Sequence, residues 1–125
     1  MFFVPPEYHD KNKHNKDIRV SPENPVCLRN SHLILHRQIA EQVFRDDTVV
    51  CMVYYPDKNS LMLAPYFNEV FRNIHKIKQY MMKEVAKNEY AVALHGILFD
   101  HGLSEQDRFL QYEAPENLHI LNVLL

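Results

Sequence analysis

The spacing of apolar positions changes along the chain, and each change predicts an element. Ile18-Arg19-Val20 and Val26-Cys27-Leu28 are short apolar runs separated by Ser21-Pro22-Glu23-Asn24-Pro25, which is turn chemistry. His32-Leu33-Ile34-Leu35 reads as a third short strand. The period then becomes helical: Leu35, Ile39, Ala40, Val43 and Phe44 fall on one face, with Arg37, Gln38, Glu41 and Gln42 opposite. Thr48 to Tyr55 is β-branched and aromatic and apolar on both sides, so it predicts a strand with both faces covered. Pro56-Asp57-Lys58-Asn59 turns it back into Leu61-Met62-Leu63-Ala64. From Pro65, the positions Phe67, Val70, Phe71, Ile74, Ile77, Met81 and Val85 recur at spacings of three and four, which predicts a long amphipathic helix near 67–87 stopped at Asn88. Ala91 to Phe99 is a nearly continuous apolar run, read as a strand closed by Asp100-His101-Gly102. Phe109 to Tyr112 and Leu118 to Leu125 flank Ala114-Pro115-Glu116-Asn117 as a second hairpin. The two turns share a Tyr, Pro, acid, Asn, Leu order, which ordinary turn composition explains as well as a diverged repeat does.

These elements predict an α+β fold: a β-rich sheet or partial barrel with one long amphipathic helix packed on it. Residues 1–17 have no hydrophobic period and read as a flexible N-terminal arm, leaving 18–125 as a single domain. The 125 residues are 46% hydrophobic and 24% charged, a globular composition. Only two glycines are present, which excludes a P-loop and a dinucleotide fingerprint, since both need clustered glycines for close backbone approach to phosphate. Cys27 and Cys51 lie in apolar runs and read as small buried hydrophobes rather than a disulfide framework. Met1-Phe2-Phe3-Val4 is followed at once by Pro5-Pro6, with no apolar core of a signal peptide, and no run is long enough for a membrane span. The expectation is a cytoplasmic protein without a membrane partner.

Charge is uneven. The formal net charge is −2, but residues 66–88 carry net +3 and residues 89–125 net −5. Arg72, Lys76, Lys83 and Lys87 read as one side of the predicted helix, able to meet phosphates or an acidic protein partner, or simply to face water. His32 and His36 lie four apart but lack a Cys or carboxylate at a supporting offset, so no metal site is expected. His95, Asp100 and His101 are the best candidates for a hydrolase or metal enzyme, because a carboxylate can orient an imidazole; on a strand, however, His95 and Asp100 point to opposite faces. No Ser sits in a glycine-framed elbow, and Glu105, Asp107, Glu113 and Glu116 read as a solvated face. No catalytic residue and no cofactor is expected.

The segment Val26-Cys27-Leu28-Arg29-Asn30-Ser31-His32-Leu33-Ile34-Leu35-His36-Arg37-Gln38-Ile39-Ala40-Glu41-Gln42-Val43-Phe44, followed by Asp46-Asp47-Thr48-Val49-Val50 and Leu61-Met62-Leu63-Ala64-Pro65, resembles the AbrB-like swapped-hairpin barrels. The resemblance covers residues 26–65. It departs from the family pattern at Asn30-Ser31, where a Gly-Arg pair is usual, and at His36, where a Pro opens the helix. The resemblance implies an intertwined dimer and DNA binding in bacterial regulation, with Arg29 and Arg37 on the DNA-facing side. Together with the cationic helix, it predicts a non-enzymatic bacterial regulatory or interaction protein binding nucleic acid or a partner through Arg29, Arg37, Arg72 and Lys76. The alternative is an oligomeric structural or protein-binding module that does not touch nucleic acid. A homo-oligomer is expected from the apolar strand Leu118 to Leu125, read as an edge that recruits a second copy.

Overall fold

The computed structural model of the chain describes residues 18–45, 47–73, 78–115 and 118–125; the arm expected over 1–17 lies outside them. Alternating apolar positions build nine strands among these residues: β1 (Val26–Arg29), β2 (His32–His36), β3 (Val49–Tyr55), β4 (Ser60–Pro65), β5 (Lys78–Ala86), β6 (Glu89–Ala93), β7 (Arg108–Phe109), β8 (Tyr112–Glu113) and β9 (Leu121–Leu124). Helices α1 (Arg37–Phe44), α2 (Glu69–Arg72) and α3 (His95–Asp100), with a 3-10 turn at Pro56–Lys58, complete the chain.

The strands form one antiparallel sheet in the order β7-β1-β2-β6-β5-β3-β4-β9-β8, curled into a half-barrel. Its two edge strands, β7 and β8, are separated in sequence only by Leu110 and Gln111. That segment bonds to both margins. Leu110 N donates to the Val26 carbonyl at 3.1 Å, and Leu124 N donates to the Gln111 carbonyl at 2.9 Å. The Arg108 guanidinium also donates to the Leu125 carbonyl at 2.9 Å. One stretch of chain thus satisfies backbone groups on both margins, the usual way a curled sheet disposes of open edges.

Local chemistry sets the turns. Asn30 and Ser31 both have positive φ (54° and 61°) and join β1 to β2 as the two-residue, left-handed turn that suits strand twist. Asn88, also at positive φ, joins β5 to β6. Helix α1 follows its predicted periodicity: Ile39, Ala40, Val43 and Phe44 are buried, and the His36 ring nitrogen caps it by accepting from Gln38 N at 3.0 Å. These residues fill the concave side together with Leu28, Leu33, Leu35, Met52, Leu61, Leu63, Val92, Leu94, Leu98, Leu121 and Val123.

The convex side is covered in two places. Phe71 packs on Cys51, Val53 and Ala64, so β3 is covered on both faces as its composition predicts. Ile18 and Val20 pack on Cys27, Ile34 and Ala91, although residues 18–20 form no strand. Burial there pushes the Cys27 thiol up to about 11. Cys27 is therefore expected to resist Ellman's reagent at pH 8 until the protein unfolds, because little thiolate forms and the sulfur is covered. Rapid labelling of Cys27 in the folded protein would refute this.

Two predicted elements are corrected. The long amphipathic helix over 67–87 does not exist: α2 has four residues, and Lys78–Ala86 is a nine-residue strand between β3 and β6. The α+β expectation of one long helix packed on a sheet gives way to a strand-rich, curled antiparallel half-barrel. The physical reason is that a central strand gains backbone bonds to two neighbours and buries Met82 with Tyr80 half-covered, which outweighs the helical spacing of the apolar positions. The apolar run Ala91–Phe99 likewise breaks at Leu94, and its second half is α3. In the C-terminal region β8 pairs with β9, but Arg108–Phe109 crosses to β1 at the opposite margin.

Candidate functional site

The cations expected to form a binding face are scattered. Arg29 donates to Glu89 Oε1 at 2.8 Å and to the Ile18 carbonyl at 3.0 Å. Glu89 is only 4% exposed and also meets Arg19 at 3.4 Å, so one buried carboxylate holds two guanidinium groups. Its hydrogen bond to Arg29 holds the carboxyl below its ordinary value against the opposing effect of burial, and the same bond raises the Arg29 value. Arg37 pairs with Glu41 one turn along the exposed side of α1, at 2.9 Å. Arg72 belongs to α2, and Lys76 lies outside the described residues. Lys83 is an exposed residue of β5, and Lys87 stands in the following turn. The stripe expected from helical spacing is thus not a stripe, since no helix carries these residues together.

His95, Asp100 and His101 sit on and after α3 rather than on a strand. His95 is largely exposed, 3.9 Å from Glu105. His101 stacks on Tyr54, with ring centroids 4.6 Å apart. Burial, and then the charge of Asp100, push the Tyr80 hydroxyl up. Ser31 Oγ donates to Glu105 Oε1 at 2.7 Å. Asp107 accepts from Asn30 N at 3.0 Å. Two of the acids expected on a solvated face therefore fasten the 103–107 loop to the β1–β2 turn. Among the described residues no three His, Cys, Asp or Glu side chains gather as metal ligands.

A further concave feature lies at the β8 margin of the sheet. An open groove of about 1020 Å³ runs over β4, β9 and β8 and is walled by the Leu110–Gln111 crossing. Cross-strand register builds its floor in two rows. Tyr55, Ser60 and Leu124 form the first; Met62, Asn122 and Glu113 form the second. Alternation sends the intervening Leu61 and Val123 into the core. Leu124 presents exposed apolar surface on this floor, whereas Tyr112, the partner of Val123, belongs to the other face of β8. Lys58 enters from the β3–β4 turn, and Glu113 stands on the opposite side of the floor. Asn122 Oδ1 is buried and has no hydrogen-bond partner among the described residues. That oxygen is covered by the chain, so it offers no open contact to a bound group.

Periodicity does not single these residues out, because each alone reads as ordinary strand or turn. The signal that could have drawn attention to them is the likeness of the two turn sequences: Tyr55 and Lys58 from the first, and Tyr112 and Glu113 from the second, all line this groove. No helix among the described residues is long and apolar enough to cross a membrane. No protein-family model, curated protein or solved structure matches this chain.

Proposed function

We propose that this protein is a non-catalytic interaction module whose groove over β4, β9 and β8 takes an extended, largely apolar segment of another protein. The observation that carries this reading is the groove itself: an open trough of about 1020 Å³ with Tyr55, Met62 and Leu124 on its floor. Its volume stands at the upper end of small-molecule sites, and its openness along three strands, spanning about 10 Å, suits a chain segment better than an enclosed ligand. Of the two halves of the regulatory or interaction reading, the one without nucleic acid has the better support. Arg29 is engaged by Glu89 and Arg37 by Glu41, and DNA affinity needs cations free to meet phosphate. A titration with duplex DNA at physiological salt is expected to show no binding; tight, salt-sensitive binding would revive the AbrB-like reading. The oligomer expected from Leu118 to Leu125 loses its argument as well, since β9 is paired on both sides and is not an edge.

The test of the groove is a labelled hexapeptide of alternating leucine and threonine, followed by fluorescence anisotropy with the full chain. Binding is expected to weaken about tenfold or more in Leu124→Asp, which sets a charge on the apolar floor. Binding indifferent to Leu124→Asp would place the partner elsewhere and defeat the reading.

A further inference from the structure

The described part of the chain begins on the same convex face as the groove. Ile18 and Val20 lie there over Cys27, Ile34 and Ala91. Tyr55 and Met62, on the groove floor, belong to the convex cluster around Phe71. Phe109 stands between the two places: it is the cross-strand partner of Cys27, so it shares the convex face, and it is exposed. The next residues, Leu110 and Gln111, join the β1 margin to β9, which pairs with β4. From Cys27 over that crossing to Met62 is three strand spacings, about 15 Å.

The residues before Ile18 hold one apolar run, Met1-Phe2-Phe3-Val4, joined to it by the mostly polar stretch from Pro5 to Asp17. A coil of that length has a mean span of roughly 20 Å, enough to cover the distance. A tether that matches the span between two sites holds its end near the second site at an effective concentration in the millimolar range. A residue before proline is biased to extended backbone, so Val4-Pro5 suits a groove that takes an extended segment. Resting on the groove reading above, we infer that Met1-Phe2-Phe3-Val4 is the groove's own intramolecular occupant, with Phe2 and Phe3 on Tyr55, Met62 and Leu124, and that a partner's segment binds by displacing it. The same run on a second copy, present at micromolar concentration, is outcompeted by the tethered one.

The chain contains no tryptophan, so Phe3→Trp places a single reporter in the run. In the full chain its emission is expected to be blue-shifted from that of free tryptophan and unchanged by dilution. Adding Leu124→Asp, an exposed position, should return the emission toward the free value. Solvent-like emission in Phe3→Trp, or a blue shift that survives Leu124→Asp, would overturn the contact. A blue shift lost on dilution would overturn it in favour of a second copy. The leucine–threonine hexapeptide is expected to bind Phe2→Ser/Phe3→Ser about tenfold more tightly than the unaltered chain, as when a competitor tethered at about ten times its own dissociation constant is removed. Equal affinity for the two chains, lost in Leu124→Asp, would overturn the displacement while leaving the groove reading in place. No binding to either chain would defeat the groove reading, and the inference that rests on it.

Discussion

Replacing Glu89 by alanine is expected to lower the unfolding free energy by about 3 kcal/mol, measured by urea denaturation at pH 7. The carboxylate is almost fully buried on the convex side of β6, and Arg29 reaches it from β1 across β2. Removing it leaves the Arg29 guanidinium, itself largely covered, with only the Ile18 carbonyl as a described partner. The loss is larger than for a surface pair because the remaining charge is shielded from water. The Arg37–Glu41 pair supplies the contrast: both groups are exposed, and Glu41→Ala should change stability by about 0.5 kcal/mol or less.

The same carboxylate gives stability a pH dependence of definite sign. Its hydrogen bond to Arg29 lowers the folded value below the ordinary 4.5. A group with a depressed folded value contributes stability that is fully present above its unfolded value and is lost as pH falls through its folded value. The contribution of Glu89 should therefore be constant from neutral pH down to about 5, begin to fall near the unfolded value and be lost only as pH passes through the lower folded value. Glu89→Gln should flatten that acid limb, and an unchanged limb would show that other carboxylates control it.

Phe44→Ala is expected to cost about 4 kcal/mol, whereas Phe99→Ala should stay within about 0.5 kcal/mol. Phe44 is 0% exposed at the end of α1, packed among residues from both halves of the curled sheet. Its removal leaves a cavity that several strands would have to collapse to fill. Phe99 is 75% exposed on α3. Thermal or urea denaturation of the two variants checks the contrast. A large loss in Phe99→Ala would mean that the Ala91–Phe99 run is buried as a strand, as its composition alone predicts, and would contradict the break at Leu94.

That contrast shows where the sequence is legible and where it is not. Helix α1 and the β3–β4 hairpin were readable because short-range pattern and turn residues agree there. Ile39, Ala40, Val43 and Phe44 permit one helical face, and Pro56-Asp57-Lys58-Asn59 permits a reversal. Around Tyr80 and Met82 the apolar positions fit a helix, and the deciding factor is hydrogen bonding to β3 and β6, whose own positions depend on the rest of the fold. The groove was hidden for a related reason. Glu113 and Asn122 lie nine positions apart by number and become partners only in the β8–β9 register.

From its own linear order, then, this protein determines its local segments: which runs are apolar, where Asn30, Ser31 and Asn88 allow the backbone to reverse, and which face of α1 is buried. Only the tertiary structure decided that Lys78–Ala86 is a strand, that Arg29 is committed to Glu89, that one crossing at Leu110–Gln111 serves both margins of the sheet, and that Asn122 and Glu113 share a groove. The physical reason is range. Turn dihedrals and helical periodicity depend on residues within a few positions of one another, whereas strand pairing, charge burial and groove formation depend on groups that meet only when the sheet curls.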